Sequence, residues 1–258
     1  MEPIPQPGSP SQADSLEGFP GAHVAVDVVV LTVTQIAGEK PRLQMLAHRR
    51  PEGYLEGTWM VPGRFMRPGE RVAECAEVCL EQKAGLKDVK TRQLVILDNP
   101  ERDPRGWTLS IGCMATVDYE KAQAAVAASP DSRMLVDIGE RHIYLPGGQG
   151  ELPFGQVEAV NAAINYLRDR YFTKPDPRRF LGRQFTLREL YETHCAVWGE
   201  EVVSPDTFRR TMEPLLEATG ELQSGRVGKP SMLYRRRASG RPSSSVRRLE
   251  RPRPSALR

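Results

Sequence analysis

Apolar positions fall into two different rhythms along the chain. HVAVDVVVLTVTQI (His23–Ile36) is nearly continuous in Val and Leu, which predicts a central strand buried on both faces. Its one charged residue is Asp27. RLQMLAHRR, across the turn GEKP, reads as a second strand and PEGYLEGTW as a loop. The stretch MVPGRFMRPGERVAECAEVCLEQKAGL (Met60–Leu86) opens on a Pro-Gly turn and continues as a helix expected from about Arg71 to Ala84, closed by Gly85. TRQLVIL and WTLSIGCMATVD are predicted strands on either side of the polar loop DNPERDPRG. YEKAQAAVAA is a short helix, and MLVDI and HIYLP are short strands. In GQVEAVNAAINYLRDRYF, Val157, Val160, Ile164 and Leu167 recur at helical spacing, so a long helix packs on the sheet. These elements predict an α+β domain over 23–172.

A linker, TKPDPRR (173–179), separates it from a region of different rhythm. FTLRELYETHCAVWG carries Thr186 as N-cap with Glu189 three residues on, a capping box, and ends at Gly199. Ser204 caps a second helix, SPDTFRRTMEPLLEATG, with Pro205 at its first position. GELQSGRVGKPSMLYRRR then reads as two strands joined by a basic, Gly-containing tip. Helix, turn, helix and β-ribbon make a winged helix-turn-helix over 180–237.

Composition changes this picture only at the ends. The net charge of the 258 residues is +3, but from Arg235 onward nine arginines face one acid, Glu250. The first 22 residues are rich in Pro, Gly and Ser. Neither end buries enough apolar surface to offset chain entropy, so 1–22 and 238–258 are expected to be disordered tails. No signal peptide or bilayer-length apolar run is visible, and the four cysteines have no zinc-like spacing, which suits a reduced cytoplasmic protein. Cys75 and Cys79 share a helix and are expected to pack rather than ligate.

Met60–Leu86 resembles the Nudix box, the loop-helix-loop signature of Nudix hydrolases. Anchored on Gly85-Leu86, the frame places Arg64 at the first glycine and keeps its early glutamate as Glu70. It places Val78-Cys79 at the Arg-Glu pair, Leu80 at the aliphatic and Gln82-Lys83 at the Glu-Glu pair. Mg²⁺ requires oxygen ligands, and these three carboxylate seats hold a thiol, an amide and an ammonium. Glu74, Glu77 and Glu81 form a separate acidic stripe, expected on the far side of the helix from 79, 82 and 83. No catalytic residue and no metal ligand is expected, and Lys83 is expected to replace part of the missing cation.

RQLVILDNPERDPRGWTLSI, with FTLRELYETH, PDTFRRTMEPLL and GKPSMLYRRR, is similar to the corresponding regions of the NrtR family, over nearly all of residues 24–236. Those regulators join a degenerate Nudix domain to a winged helix-turn-helix. The resemblance implies repression of NAD-related genes, relieved by ADP-ribose or a related nucleotide. The family usually carries a His before the long helix, whereas LPFGQVEAV has Gln156. The expected ligand-binding residues are Arg49, Arg64, Phe65, Glu70, Lys83, Arg102 and Arg105, with no cofactor. The expected DNA-binding residues are Ser204, Thr207, Arg209 and Arg210 on the second helix, and Arg226 and Lys229 at the wing tip. The implied partners are an operator DNA, a nucleotide effector and a second copy in a homodimer, with no membrane. The alternative is an ADP-ribose pyrophosphatase with an accessory nucleic-acid-binding domain.

Overall fold

The structure, a computed structural model, describes residues 21–139, 142–148, 151–201, 203–223 and 230–237. Residues 1–20 of the expected tail 1–22, the expected tail 238–258, and Arg226 and Lys229 lie outside the described residues.

The first domain is built on β1 (His23–Val33). It runs parallel to β6 (Thr108–Thr116) along its length, and β5 (Thr91–Leu97) continues the sheet antiparallel beyond β6. The other edge of β1 is shared. β4 (Gly63–Phe65) pairs with Ala25–Asp27, and β2 (Leu43–Arg49) pairs with Leu31–Val33. β3 (Trp59–Met60) and β7 (Arg133–Asp137) both pair with β2, completing seven strands.

The continuous apolar run of β1 is explained by two covered faces. Val26, Val28 and Val30 pack toward α1 (Val72–Cys79) and α2 (Tyr119–Ala127). Val29, Leu31 and Val33 face α3 (Gln156–Tyr171), whose Val160, Ile164 and Leu167 are buried on them. Strand periodicity of two puts Asp27 on the α3 face.

α1 is shorter than the expected helix, because Leu80–Ala84 widens into a π turn before Gly85 closes it with φ 70. A side chain on Gly85 would also strike the Arg133 guanidinium. That guanidinium donates to the carbonyls of Lys83 at 2.9 Å and Ala125 at 3.1 Å, so a cation caps a helix end whose carbonyls lack helical donors. HIYLP is not a strand: among its described residues only Ile143 pairs, in an isolated bridge with Ile138.

The second domain comprises β8 (Phe185–Thr186), α4 (Leu187–Trp198), α5 (Pro205–Met212), β9 (Leu216–Gln223) and β10 (Ser231–Arg236), with sheet order β8-β10-β9. The capping box Thr186/Glu189 and the Gly199 stop form as expected. α5 ends eight residues before Gly220, at Met212. Pro214 cannot continue the hydrogen-bond ladder, so a 3₁₀ turn at Glu213–Leu215 leads straight into β9.

The two domains share one core. Tyr171 and Phe172 at the end of α3 reach into the second domain, where Phe172 stacks on Trp198 at 5.0 Å. Tyr171 meets the fully buried His194 edge-on at 4.7 Å, and Phe208 of α5 lies 4.9 Å from the same His194. The segment 173–179 is not a solvated spacer, because Asp176 within it is completely buried. Among the described residues, no helix is long and apolar enough to cross a membrane.

Candidate functional site

A cleft of about 360 Å³ opens between β1, β4, the 98–106 loop and the start of α3. Its lining brings together Arg50, Arg64, Lys83, Arg102 and Arg105 with only two acids, Asp27 and Asp103.

Asp27 is the anchor beneath it. Its carboxylate accepts from Ser110 Oγ at 2.6 Å, Gln156 Nε2 at 2.6 Å and Arg102 Nη2 at 3.3 Å, and it is 5% exposed. Gln156 also exchanges hydrogen bonds with the backbone of Val61, accepting from its N–H at 3.0 Å and donating to its carbonyl at 3.2 Å. Gly63 is required here, because a Cβ would collide with the Asp27 carboxylate. Gln156 thus locks the β3–β4 crossing onto β1.

The positive wall follows from the altered box. Lys83 lies in the π turn and donates from Nζ to the Gly63 carbonyl. Burial is the main reason its pKa sits below the usual lysine value; Arg50 and Arg64 act in the same direction, while Cys79 and Asp27 oppose. Cys79 is fully buried, and burial pushes its thiol up to about 12. It is therefore a protonated thiol at neutral pH in the metal-free protein, and its soft sulfur is no substitute for the oxygen ligands Mg²⁺ requires. Gln82 is exposed, against the expectation that it shares a side of the helix with 79 and 83, whereas Glu74, Glu77 and Glu81 are exposed as expected. Glu70 does not line the cleft. Arg64 Nη1 holds it at 2.5 Å and contacts Cys75 Sγ at 3.3 Å. These donors do not fit Mg²⁺, and no three His, Cys, Asp or Glu side chains cluster as a metal site among the described residues.

The opposite wall is aromatic. The Arg105 guanidinium lies 5.1 Å from the ring centre of Phe154, 5.7 Å from Phe65 and 5.8 Å from Tyr54. Asp103 fixes it through bonds of 2.9 and 2.7 Å. The cleft therefore offers a cationic end for phosphates and a planar, π-rich end for a base.

Of the residues expected from sequence, Arg64, Phe65, Lys83, Arg102 and Arg105 converge here. Arg49 does not. It donates to the Gly57 carbonyl at 3.2 Å, and its neighbour Arg50 lines the cleft instead, since adjacent residues leaving a strand face opposite ways. Sequence reasoning missed Arg50, Phe154 and the Asp27–Ser110 pair as parts of this site. A lone acid inside an unbroken apolar run was the available signal for Asp27.

A larger groove of about 770 Å³ runs between the domains, beside α4 and α5. Its lining mixes Lys40 and three arginines with five acids, and two of the arginines are paired within the fold, Arg42 3.6 Å from Asp137 and Arg188 2.8 Å from Glu192. It does not concentrate positive charge as the smaller cleft does.

On α5, Phe208 and Met212 are buried, while Arg209 and Arg210 point to solvent. Ser204 caps the helix by accepting from Thr207 N at 3.3 Å. Arg209 is paired with Glu213 at 3.0 Å, and Arg210 contacts Thr207 Oγ1 at 3.5 Å. This is a helix with one face docked and an outer face that presents Arg209 and Arg210 beside Asp206.

Residues 177–236 match the family model of the NrtR DNA-binding winged helix domain. The ADPR responsive transcriptional repressor NtrR of Acinetobacter baylyi is 26% identical over 239 residues, covering 91% of this chain and 90% of that protein. The chain thus carries a winged helix of the NrtR type and is similar to NrtR regulators over nearly its whole length. Shewanella oneidensis NrtR, solved in complex with a 27mer DNA, superposes with a TM-score of 0.64 at 26% identity, over 83% of this chain and 93% of that one. A MutT/nudix family protein from Enterococcus faecalis shares the fold with a TM-score of 0.66 at 20% identity, over 86% and 89%. The NrtR architecture, a Nudix-like domain followed by a winged helix, accounts for both the cleft and the basic α5.

Proposed function

We propose that the protein is a DNA-binding transcriptional repressor that senses ADP-ribose or a related nucleotide diphosphate in the Nudix-like cleft, without a metal ion. One observation carries the metal-free part. Lys83 occupies a carboxylate seat of the box and aims its ammonium into the cleft at the Gly63 carbonyl. An ammonium carried by the chain there supplies charge that a hydrolase obtains from Mg²⁺, and among the described residues no carboxylate set is left to hold one. Arg64, Lys83 and Arg102 bind the pyrophosphate, and Phe65, Phe154 and Arg105 bind the base or ribose. The winged helix reads an operator with Arg209 and Arg210 in the major groove, Ser204 and Thr207 on phosphates, and Arg226 and Lys229 at the wing. Two copies bind as a homodimer, and the target genes concern NAD metabolism in the cytoplasm.

The test is recovery of sheared genomic DNA by the purified protein in EDTA, with and without ADP-ribose. Specific fragments released by the nucleotide support the reading. Specific fragments retained in saturating ADP-ribose overturn the effector, and no enrichment overturns the regulator. Release of AMP from ADP-ribose on adding Mg²⁺ or Mn²⁺ would restore the hydrolase alternative, for which the retained Glu70 is the one supporting residue.

A further inference from the structure

Two ends of one helix connect the cleft to the second domain. Gln156, the first residue of α3, lies in the cleft wall and holds Asp27. Just before it, Phe154 lines the cleft with φ 58, and its carbonyl accepts from Arg102 Nε at 3.1 Å. Sixteen residues make a rod of about 24 Å at 1.5 Å per residue. The last of them, Tyr171, ends in a knot around Asp176.

That knot joins three elements. The Asp176 carboxylate accepts from Tyr171 Oη at 2.6 Å, Phe180 N at 3.0 Å, Leu181 N at 2.9 Å and the Arg236 guanidinium of β10. Its backbone N–H donates to His194 Nε2 of α4 at 3.2 Å. Arg236 also spans the carbonyls of Asp176 at 3.2 Å, Leu181 at 2.9 Å and Gly182 at 3.0 Å. One buried acid thereby fixes the end of α3, the first helix of the winged domain and the strand that carries its wing.

The knot is held under strain. Asp176 has φ 39 and Arg179 has φ 58, left-handed values that a non-glycine side chain disfavours. Beside it, Thr193 Oγ1 and Trp198 Nε1 are buried with no hydrogen-bond partner among the described residues. Strained backbone at a domain junction marks a place where a second packing lies within reach.

We infer that α3 is the coupling rod and that the Tyr171–Asp176–Arg236 knot converts nucleotide occupancy into winged-helix orientation. A phosphate bound by Arg102 competes with its bonds to Asp27 and the Phe154 carbonyl. That competition is the differential interaction a ligand needs in order to favour a second arrangement. Close packing makes α3 move as a body, and its far end carries the displacement into the knot. Tyr171, Asp176 and Arg236 are positioning residues; none touches nucleotide or DNA.

This inference rests on the nucleotide-responsive reading above, and Tyr171→Phe tests it by removing a single hydroxyl. DNA affinity of the full chain is measured with and without saturating ADP-ribose, and ADP-ribose affinity with and without the recovered DNA fragment. Coupling is reciprocal, so both ratios must agree, and coupling factors of this kind run from about 5- to 150-fold. The expected result is that each affinity measured alone stays within about threefold of wild type while both ratios fall toward one. A Tyr171→Phe protein with the wild-type ratio overturns the inference alone. A wild-type protein whose DNA affinity ignores ADP-ribose overturns the functional reading first. If Tyr171→Phe does not fold, Arg236→Lys keeps the charge but cannot span three carbonyls. It must also lower the ratio; an unchanged ratio there overturns the inference.

Discussion

Arg64 Nη1 stands 2.5 Å from Glu70 Oε1, so the carboxylate retained from the catalytic box is bound by the residue that replaced the box's first glycine. The Arg67 backbone N–H and Arg64 together hold the Glu70 carboxyl below its usual pKa. Glu70 therefore stays ionised and engaged, serving as a structural counter-ion to the cationic wall.

Removing Lys83 tests the metal-free cleft directly. A charge-assisted hydrogen bond to a phosphate contributes about 1.5–3 kcal/mol. Lys83→Met is therefore expected to weaken ADP-ribose binding roughly 10- to 100-fold by calorimetry. Millimolar Mg²⁺ should not restore it; if it does, a metal site exists that these donors do not suggest.

Breaking the anchor below the cleft should cost stability instead. Asp27→Ala leaves Arg102, Ser110 and Gln156 buried without their shared acceptor, and the Arg102–Asp27 side chains are 4% and 7% exposed. Removing one member of a buried pair costs about 3–5 kcal/mol, and for a chain of this size the midpoint should fall on the order of 10 °C. A melting curve within about 2 °C of wild type would refute the anchor.

Acid should loosen the domain junction. Burial lowers the His194 pKa to about 3, and burial with the nearby Lys83 lowers His48 to about 4. Both are neutral when folded but take up a proton when unfolded below about 6.5. The folded state binds fewer protons in that window. Stability is thus greatest above pH 6.5 and declines as pH falls toward 4, by about 2 kcal/mol per residue between pH 7 and 5. Denaturant titrations should show this slope, and His194→Gln should flatten it even if it lowers stability at pH 7. An unchanged slope would assign the acid sensitivity elsewhere.

The two arginines of the reading helix should differ. Arg209 is already engaged by Glu213, whereas Arg210 has only a 3.5 Å contact to Thr207. Arg210→Ala is expected to cost about 1–3 kcal/mol at the operator and to relax discrimination at one base pair. Arg209→Ala should cost less. Fluorescence anisotropy against the operator and single-base variants separates the two, and equal losses would show that the Glu213 pairing breaks on DNA.

The sequence by itself determined most of the order of elements, both helix N-caps of the second domain and the residue types at the carboxylate positions of the box it resembles. Each of these is written in residues close together in the chain: a β-branched run, a Thr186-to-Glu189 box, a thiol and an ammonium at fixed offsets in a helix. Only the tertiary structure decided which charges meet. Arg50 rather than Arg49 faces the cleft because strand register sets the side. Lys83 turns into the cleft while its neighbour Gln82 faces solvent. Asp27 becomes an anchor through Gln156, 129 positions away in the chain, and Asp176 becomes a buried knot through Arg236, 60 away. A segment that reads as a polar spacer is pinned at one buried residue, Asp176, because that lone acid finds donors that only folding brings within hydrogen-bond reach, and desolvation makes each of those bonds obligatory.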